Sequence, residues 1–209
     1  MFIIKWNKSV IITYLGIICG VVAMYFAFTQ MAFSKDVSYL RYSLIFLVLA
    51  GVCDMFDGKV ARMCKRTNEE KQFGIELDSL ADTVNFICLP VVIMLSLGMY
   101  SLIDIIIYVI FVLCGISRLS FFNVNASLDS PVKYYKGLPV TSTAIIYPIL
   151  GILHGKIDDS VFFTLYIVAT AITAFLFIFN FKCPKLKGKA YVVIPILATI
   201  LVALLVIIK

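Results

Sequence analysis

Asp54 and Asp57 stand three residues apart and Asp78 and Asp82 four apart, each pair inside or beside an apolar run. On helices, those spacings put each pair on one face, a turn apart. Ionised carboxylates are costly in such surroundings: an Asp at the bilayer centre costs about 2.5–3.5 kcal/mol on an insertion scale. Ordinary packing has no use for the group. Two such faces brought together converge four carboxylates, whose repulsion forbids full ionisation unless cations lie between them. Hard divalent ions with oxygen ligands, Mg²⁺ or Mn²⁺, suit that donor set. The competing reading has the aspartates at an interface, capping helices or pairing with Lys59, Arg62, Lys65 and Arg66. It explains any one of them more readily than all four at this spacing.

Small residues and cations flank the carboxylates. Gly58 follows Asp57, and Gly74 lies one turn before Asp78. Within a helix each glycine costs about 1 kcal/mol relative to Ala. Close approach by a ligand or by a neighbouring helix repays that cost, and Ala61 fits the same two readings. Arg62, one turn after Gly58, has a planar fork suited to phosphate oxygens; reaching to lipid headgroups is its alternative role. Carboxylates, divalent cations, small residues and an arginine together suit a diphosphate.

The elements that carry these residues are membrane helices. The 209 residues are 62% hydrophobic and 14% charged, with mean hydropathy +1.05, far more apolar than a soluble domain. The expected fold is all-α, a polytopic transmembrane bundle forming a single domain over 1–209. Seven apolar stretches approach the ~20 residues a span needs: 10–28, 39–64, 73–97, 102–122, 138–154, 161–179 and 190–208. Six form the core and the seventh is a C-terminal span. The first exceeds a signal-peptide core and lacks a small-x-small cleavage site, so it reads as a retained helix. The fifth is short and contains Pro148.

A net charge of +6 in such a chain points to loops and anionic headgroups, with no nucleic-acid partner. With the N-terminus inside, the cytoplasmic ends collect every Lys and Arg except Lys35, Arg41, Lys156 and Lys209. The aspartates then face the cytoplasm. Cys19, Cys53, Cys64, Cys88, Cys114 and Cys183 are scattered without a C-x-x-C pair, which indicates neither a disulfide framework nor a zinc site.

D-M-F-D-G-K-V-A-R and G-I-E-L-D-S-L-A-D resemble the signature D-x-x-D-G-x-x-A-R…G-x-x-x-D-x-x-x-D of the CDP-alcohol phosphotransferase family. Asp54, Asp57, Gly58, Ala61, Arg62, Gly74, Asp78 and Asp82 supply every fixed position. F-G-I-E-L-D-S-L-A-D-T-V-N-F, C-G-I-S-R-L-S-F-F-N-V and K-G-L-P-V-T are similar to runs in the phosphatidylserine synthase branch. The likeness covers most of 10–147 and thins beyond. Where that branch often carries a second basic residue, this chain has Phe121.

The resemblance implies metal-dependent transfer of a phosphatidyl group from CDP-diacylglycerol to the L-serine hydroxyl, releasing CMP, by a homodimeric enzyme of the membrane. Asp54, Asp57 and Asp78 would hold two Mg²⁺ or Mn²⁺ ions, with Asp82 as a further ligand or the general base. Asp54, Gly58, Ala61, Arg62 and Gly74 would line the nucleotide and diphosphate. The serine carboxylate needs a cation: Arg118 is first choice, Lys133 and Lys136 are less specific, and an interfacial anchor is the other reading of Arg118. Asn85, one turn beyond Asp82, either supports the aspartates or is a buried amide with its bonds made. His154 is expected on the far side as an interfacial residue. Another acceptor (glycerol 3-phosphate, an inositol compound or choline) would keep the same chemistry. A divalent-cation transporter is the rival from another class, favoured by carboxylates at the midplane.

Overall fold

A computed structural model describes residues 7–33, 38–126, 134–184 and 190–207. A single 3₁₀ turn, Lys8–Val10, leads into α1 (Ile11–Phe33). Next come α2 (Ser38–Met63), α3 (Asn68–Asp82) and α4 (Leu89–Ser96), the last two joined by a π-helical segment, Thr83–Cys88. α5 (Leu102–Ala126), α6 (Thr143–Gly151), α7 (Asp159–Ile178) and α8 (Ala190–Ile207) complete the bundle. With α3, the π segment and α4 forming one rod, Asn68–Ser96, the described chain is an all-α bundle of seven rods.

Among the described residues, four helices are long and apolar enough to cross a membrane: Lys8–Ala32, Asn68–Ser96, Leu102–Val124 and Asp159–Ile178. Their outward faces are apolar, with Ile18, Tyr25, Leu113 and Ile172 all exposed, as lipid-facing surfaces are. α2 has the length, but its aspartates and cations dilute its hydropathy. The fifth expected span is the main difference. Pro148 lies inside α6, whose nine residues rise only about 14 Å. It is a short apolar helix with one face packed on α2, where a Cβ on Gly51 would lie 2.7 Å from Ala144 Cβ, and with Ile145 and Ile149 exposed on the other.

Local chemistry sets the ends that matter. Thr67 caps α3 in a reciprocal box, its side chain accepting from Glu70 N while Glu70 accepts from Thr67 N at 2.8 Å. That cap ends the short turn after Met63, and α2 and α3 run antiparallel, since Asp54 meets Asp82 while Asp57 meets Asp78. Pro90 has no N–H for the carbonyl a turn behind it. The Phe86 carbonyl instead faces Thr143 Oγ1 of α6 at 3.1 Å, and this break falls within the π segment just after Asp82.

α1 and α2 pack through small residues. Ala23, Ala27 and Ala50 are buried, and Ser43 Oγ donates to Ala23 O at 2.9 Å, the close approach membrane helices use. The core beyond them holds Leu44, Phe86, Phe111, Tyr147 and Tyr166, where Tyr166 OH donates to Tyr147 O at 2.9 Å. A two-stranded antiparallel pair, β1 (Tyr134–Lys136) and β2 (Lys182–Pro184), ties the segment after α5 to the segment after α7. Nothing in the apolar pattern foretells it.

Candidate active site

The antiparallel α2–α3 hairpin brings the two aspartate pairs face to face. Carboxylate oxygens of Asp54, Asp78 and Asp82 lie within 4.8 Å of one another. Asp57 stands beside this group, nearly buried, with Thr13 Oγ1 of α1 donating to its Oδ2 at 3.2 Å. Asp54 is in hydrogen-bonding contact with Asp82, and Asp57 with Asp78. Two carboxylates meet in that way only with a proton or a cation between them. An all-oxygen donor set of this size fits a hard divalent ion, so the cluster can bind a metal.

The glycines answer the question the sequence left open. A Cβ on Gly58 would meet only Arg62 Nη1, at 3.6 Å, and one on Gly74 only Arg66 Nη1, at 3.5 Å. Among the described residues no neighbouring helix fills either space, so helix packing does not require these glycines. Ala61 is half-buried on the same stretch of α2. Arg62 also reaches Tyr191 of α8, Nη2 donating to the hydroxyl at 3.5 Å, and Lys59 Nζ lies 5.7 Å from that ring.

A separate cavity of about 400 Å³ opens beside α5, lined by Arg118, Phe121, Lys136, Gly137 and the chain from Phe177 to Asn180. Arg118 is only 9% exposed, which a headgroup anchor would not be. Its guanidinium sits 5.4 Å from the Phe122 ring and within electrostatic reach of Asp54. Lys136 Nζ sits 5.5 Å from the Phe121 ring, so a cation reaches the Phe121 position from another element. Lys133 lies outside the described residues. Gly137 adopts φ +74°, and a Cβ there would come within 2.6 Å of Phe177 O, so the turn that presents Lys136 needs glycine. Ser79 and Asn123, joined by Asn123 Nδ2 donating to Ser79 Oγ at 2.8 Å, hold α5 against α3.

Thr13, Lys59, Arg66 and Tyr191 were not singled out as site residues by sequence. A threonine in an apolar helix and a tyrosine at a helix start are common, and neither carries a spacing signal. Asn85 is buried, but its Oδ1 has no hydrogen-bond partner; the amide fills the space beside Gly16 and Gly20 of α1. His154 is remote from the carboxylates, packed edge-on against Phe162 at 4.8 Å; burial lowers its pKa.

A family model described as CDP-alcohol phosphatidyltransferase matches residues 6–179. The chain is 36% identical to the CDP-diacylglycerol–serine O-phosphatidyltransferase of Saccharomyces cerevisiae over 155 residues, 64% of this chain and 54% of that one. It is 28% identical to the Bacillus subtilis protein of the same name over 181 residues, 86% and 90% of the two chains. An archaetidylserine synthase of Methanothermobacter thermautotrophicus is 36% identical over 107 residues, 51% and 44% of the two. The chain spans about half the length of the first curated relatives it matches. No solved structure matches it.

Proposed function

The chain belongs to the CDP-alcohol phosphatidyltransferase family, and on that premise we propose that it transfers the phosphatidyl group of CDP-diacylglycerol to L-serine. The observation that carries the reading is the carboxylate cluster of Asp54, Asp78 and Asp82, with Arg118 of the neighbouring cavity within electrostatic reach of Asp54. Asp54, Asp57, Asp78 and Asp82 would hold Mg²⁺ or Mn²⁺, two ions, which when bound neutralise diphosphate charge and improve CMP as a leaving group. Acyl chains lie in lipid along the apolar faces, and the nucleotide sits at the hairpin end, against Asp54, Gly58, Ala61, Arg62 and Gly74.

The serine hydroxyl oxygen forms a bond to the phosphorus that bears diacylglycerol, and the bond from that phosphorus to the CMP oxygen breaks. A hydroxyl is a weak nucleophile at neutral pH. Asp82, where it is not itself a metal ligand, would accept its proton, and Thr13 steadies Asp57. Serine arrives as a zwitterion. Arg118 offers its carboxylate a planar fork, while the α7 C-terminus, on the wall of the same cavity, offers carbonyls of partial negative charge to its ammonium.

The basic bias supports a cytoplasmic orientation of this end within a cell membrane, and the family resemblance supports a single-domain enzyme working as a homodimer. Lys136 lines the cavity with Arg118, and two cations favour a phosphorylated acceptor as the second reading. An acceptor panel separates them: labelled CDP-diacylglycerol offered with serine, glycerol 3-phosphate, inositol phosphate or choline. Phosphatidylserine as the dominant lipid product is expected. Indifference to serine with activity on a phosphorylated alcohol would replace the acceptor and leave the transfer chemistry standing.

A further inference from the structure

We propose that Arg66 is a second diphosphate-binding residue, forming with Arg62 a two-guanidinium clamp over the glycines that precede and follow the carboxylates. The inference rests on the phosphatidyl-transfer reading and extends it to a residue outside the fixed signature positions. Because α2 and α3 are antiparallel, the turn after Asp57 and the turn before Asp78 both lie on the hairpin side of the carboxylates. Gly58 and Gly74 occupy those two turns, and each space that a side chain would fill is bordered by one guanidinium: Arg62 at 3.6 Å and Arg66 at 3.5 Å.

Arg66 reaches Gly74 because of its place in the chain. It directly precedes Thr67, whose capping box fixes the backbone at the start of α3. Its Nε is enclosed and has no hydrogen-bond partner. Glu70 lies within electrostatic reach of Arg66, but its Oε2 is engaged by Thr67 N at 2.8 Å. A buried donor without a partner is costly, and a phosphate oxygen in the adjoining space supplies one. Each phosphate of a CDP-lipid carries one negative charge, and carboxylates behind it repel that charge. Guanidinium groups on the open side offset the repulsion with directional, charge-assisted bonds.

The test uses the purified full-length protein with CDP-diacylglycerol, serine and Mg²⁺, together with equilibrium binding of free CDP. Arg66→Gln should raise the CDP-diacylglycerol KM and the CDP Kd about tenfold or more, with the serine KM unchanged. Arg66→Lys, which keeps the charge but not the fork, should recover part of the loss. Glu70→Gln, which preserves the capping box, should match wild type. An unchanged CDP Kd and CDP-diacylglycerol KM in Arg66→Gln would overturn the clamp. So would a loss shared equally with serine, or one reproduced by Glu70→Gln, since both mark a role in folding the hairpin. A wild type that makes no lipid product with any acceptor would instead remove the transfer reading itself.

Discussion

At the scale of single residues, Arg118 is the group on which the proposed acceptor choice turns. Replacing its fork by an ammonium removes two directional bonds to a carboxylate. Arg118→Lys should raise the serine KM, lowering kcat/KM roughly 10- to 100-fold for the loss of about 1.5–3 kcal/mol. The CDP-diacylglycerol KM should move little; equal weakening of both would assign Arg118 to the phosphates or the scaffold. Gly137 supports the same cavity from below. Ala at φ +74°, with Phe177 O at 2.6 Å, should cost on the order of 1–3 kcal/mol, read as a lower Tm, and an unchanged Tm would show that the turn relaxes freely. The aspartates were legible because spacing alone puts them on common helical faces. Thr13 and Arg66 were not, because what a face meets depends on residues far away in the chain or beyond a turn.

At the scale of elements, α1 acts as the wall that carries Thr13 to Asp57. Its register is fixed where Asn85 fills the space left by Gly20, a Cβ on which would collide with the amide oxygen. Gly20→Ala should displace α1, lowering both Tm and turnover, and Asn85→Ala in the same chain should restore the Tm. Failure of the second change to restore it would mean that α1 is held elsewhere. Helix identity and most boundaries followed from runs of apolar residues bounded by polar ones. The fifth stretch gives only a short helix, because an apolar run does not tell how much of it packs on α2 and how much, as Ile145 and Ile149 do, stays exposed. The π segment and the β1–β2 pair were invisible for a related reason: one depends on how Thr143 meets the Phe86 carbonyl, the other on segments distant in sequence.

At the scale of the whole molecule, an apolar exterior wraps a polar end built from the α2–α3 hairpin, α5 and the β1–β2 tie. The charge bias is the ground for proposing that this end faces the cytoplasm. A single cysteine replacing exposed Lys65, in an active variant lacking the native cysteines, should react with an impermeant reagent only from the cytoplasmic side. Efficient labelling of intact cells from outside would invert the bundle and separate the site from cytoplasmic CDP-lipid. The central claim is that the hairpin carboxylates drive phosphatidyl transfer to serine. The most direct measurement compares serine-dependent formation of phosphatidylserine from labelled CDP-diacylglycerol by wild type and by Asp78→Asn, both folded in membranes at the same level. Product from wild type and none above background from Asp78→Asn is the predicted result; near-normal turnover by Asp78→Asn at ordinary Mg²⁺ would contradict the account.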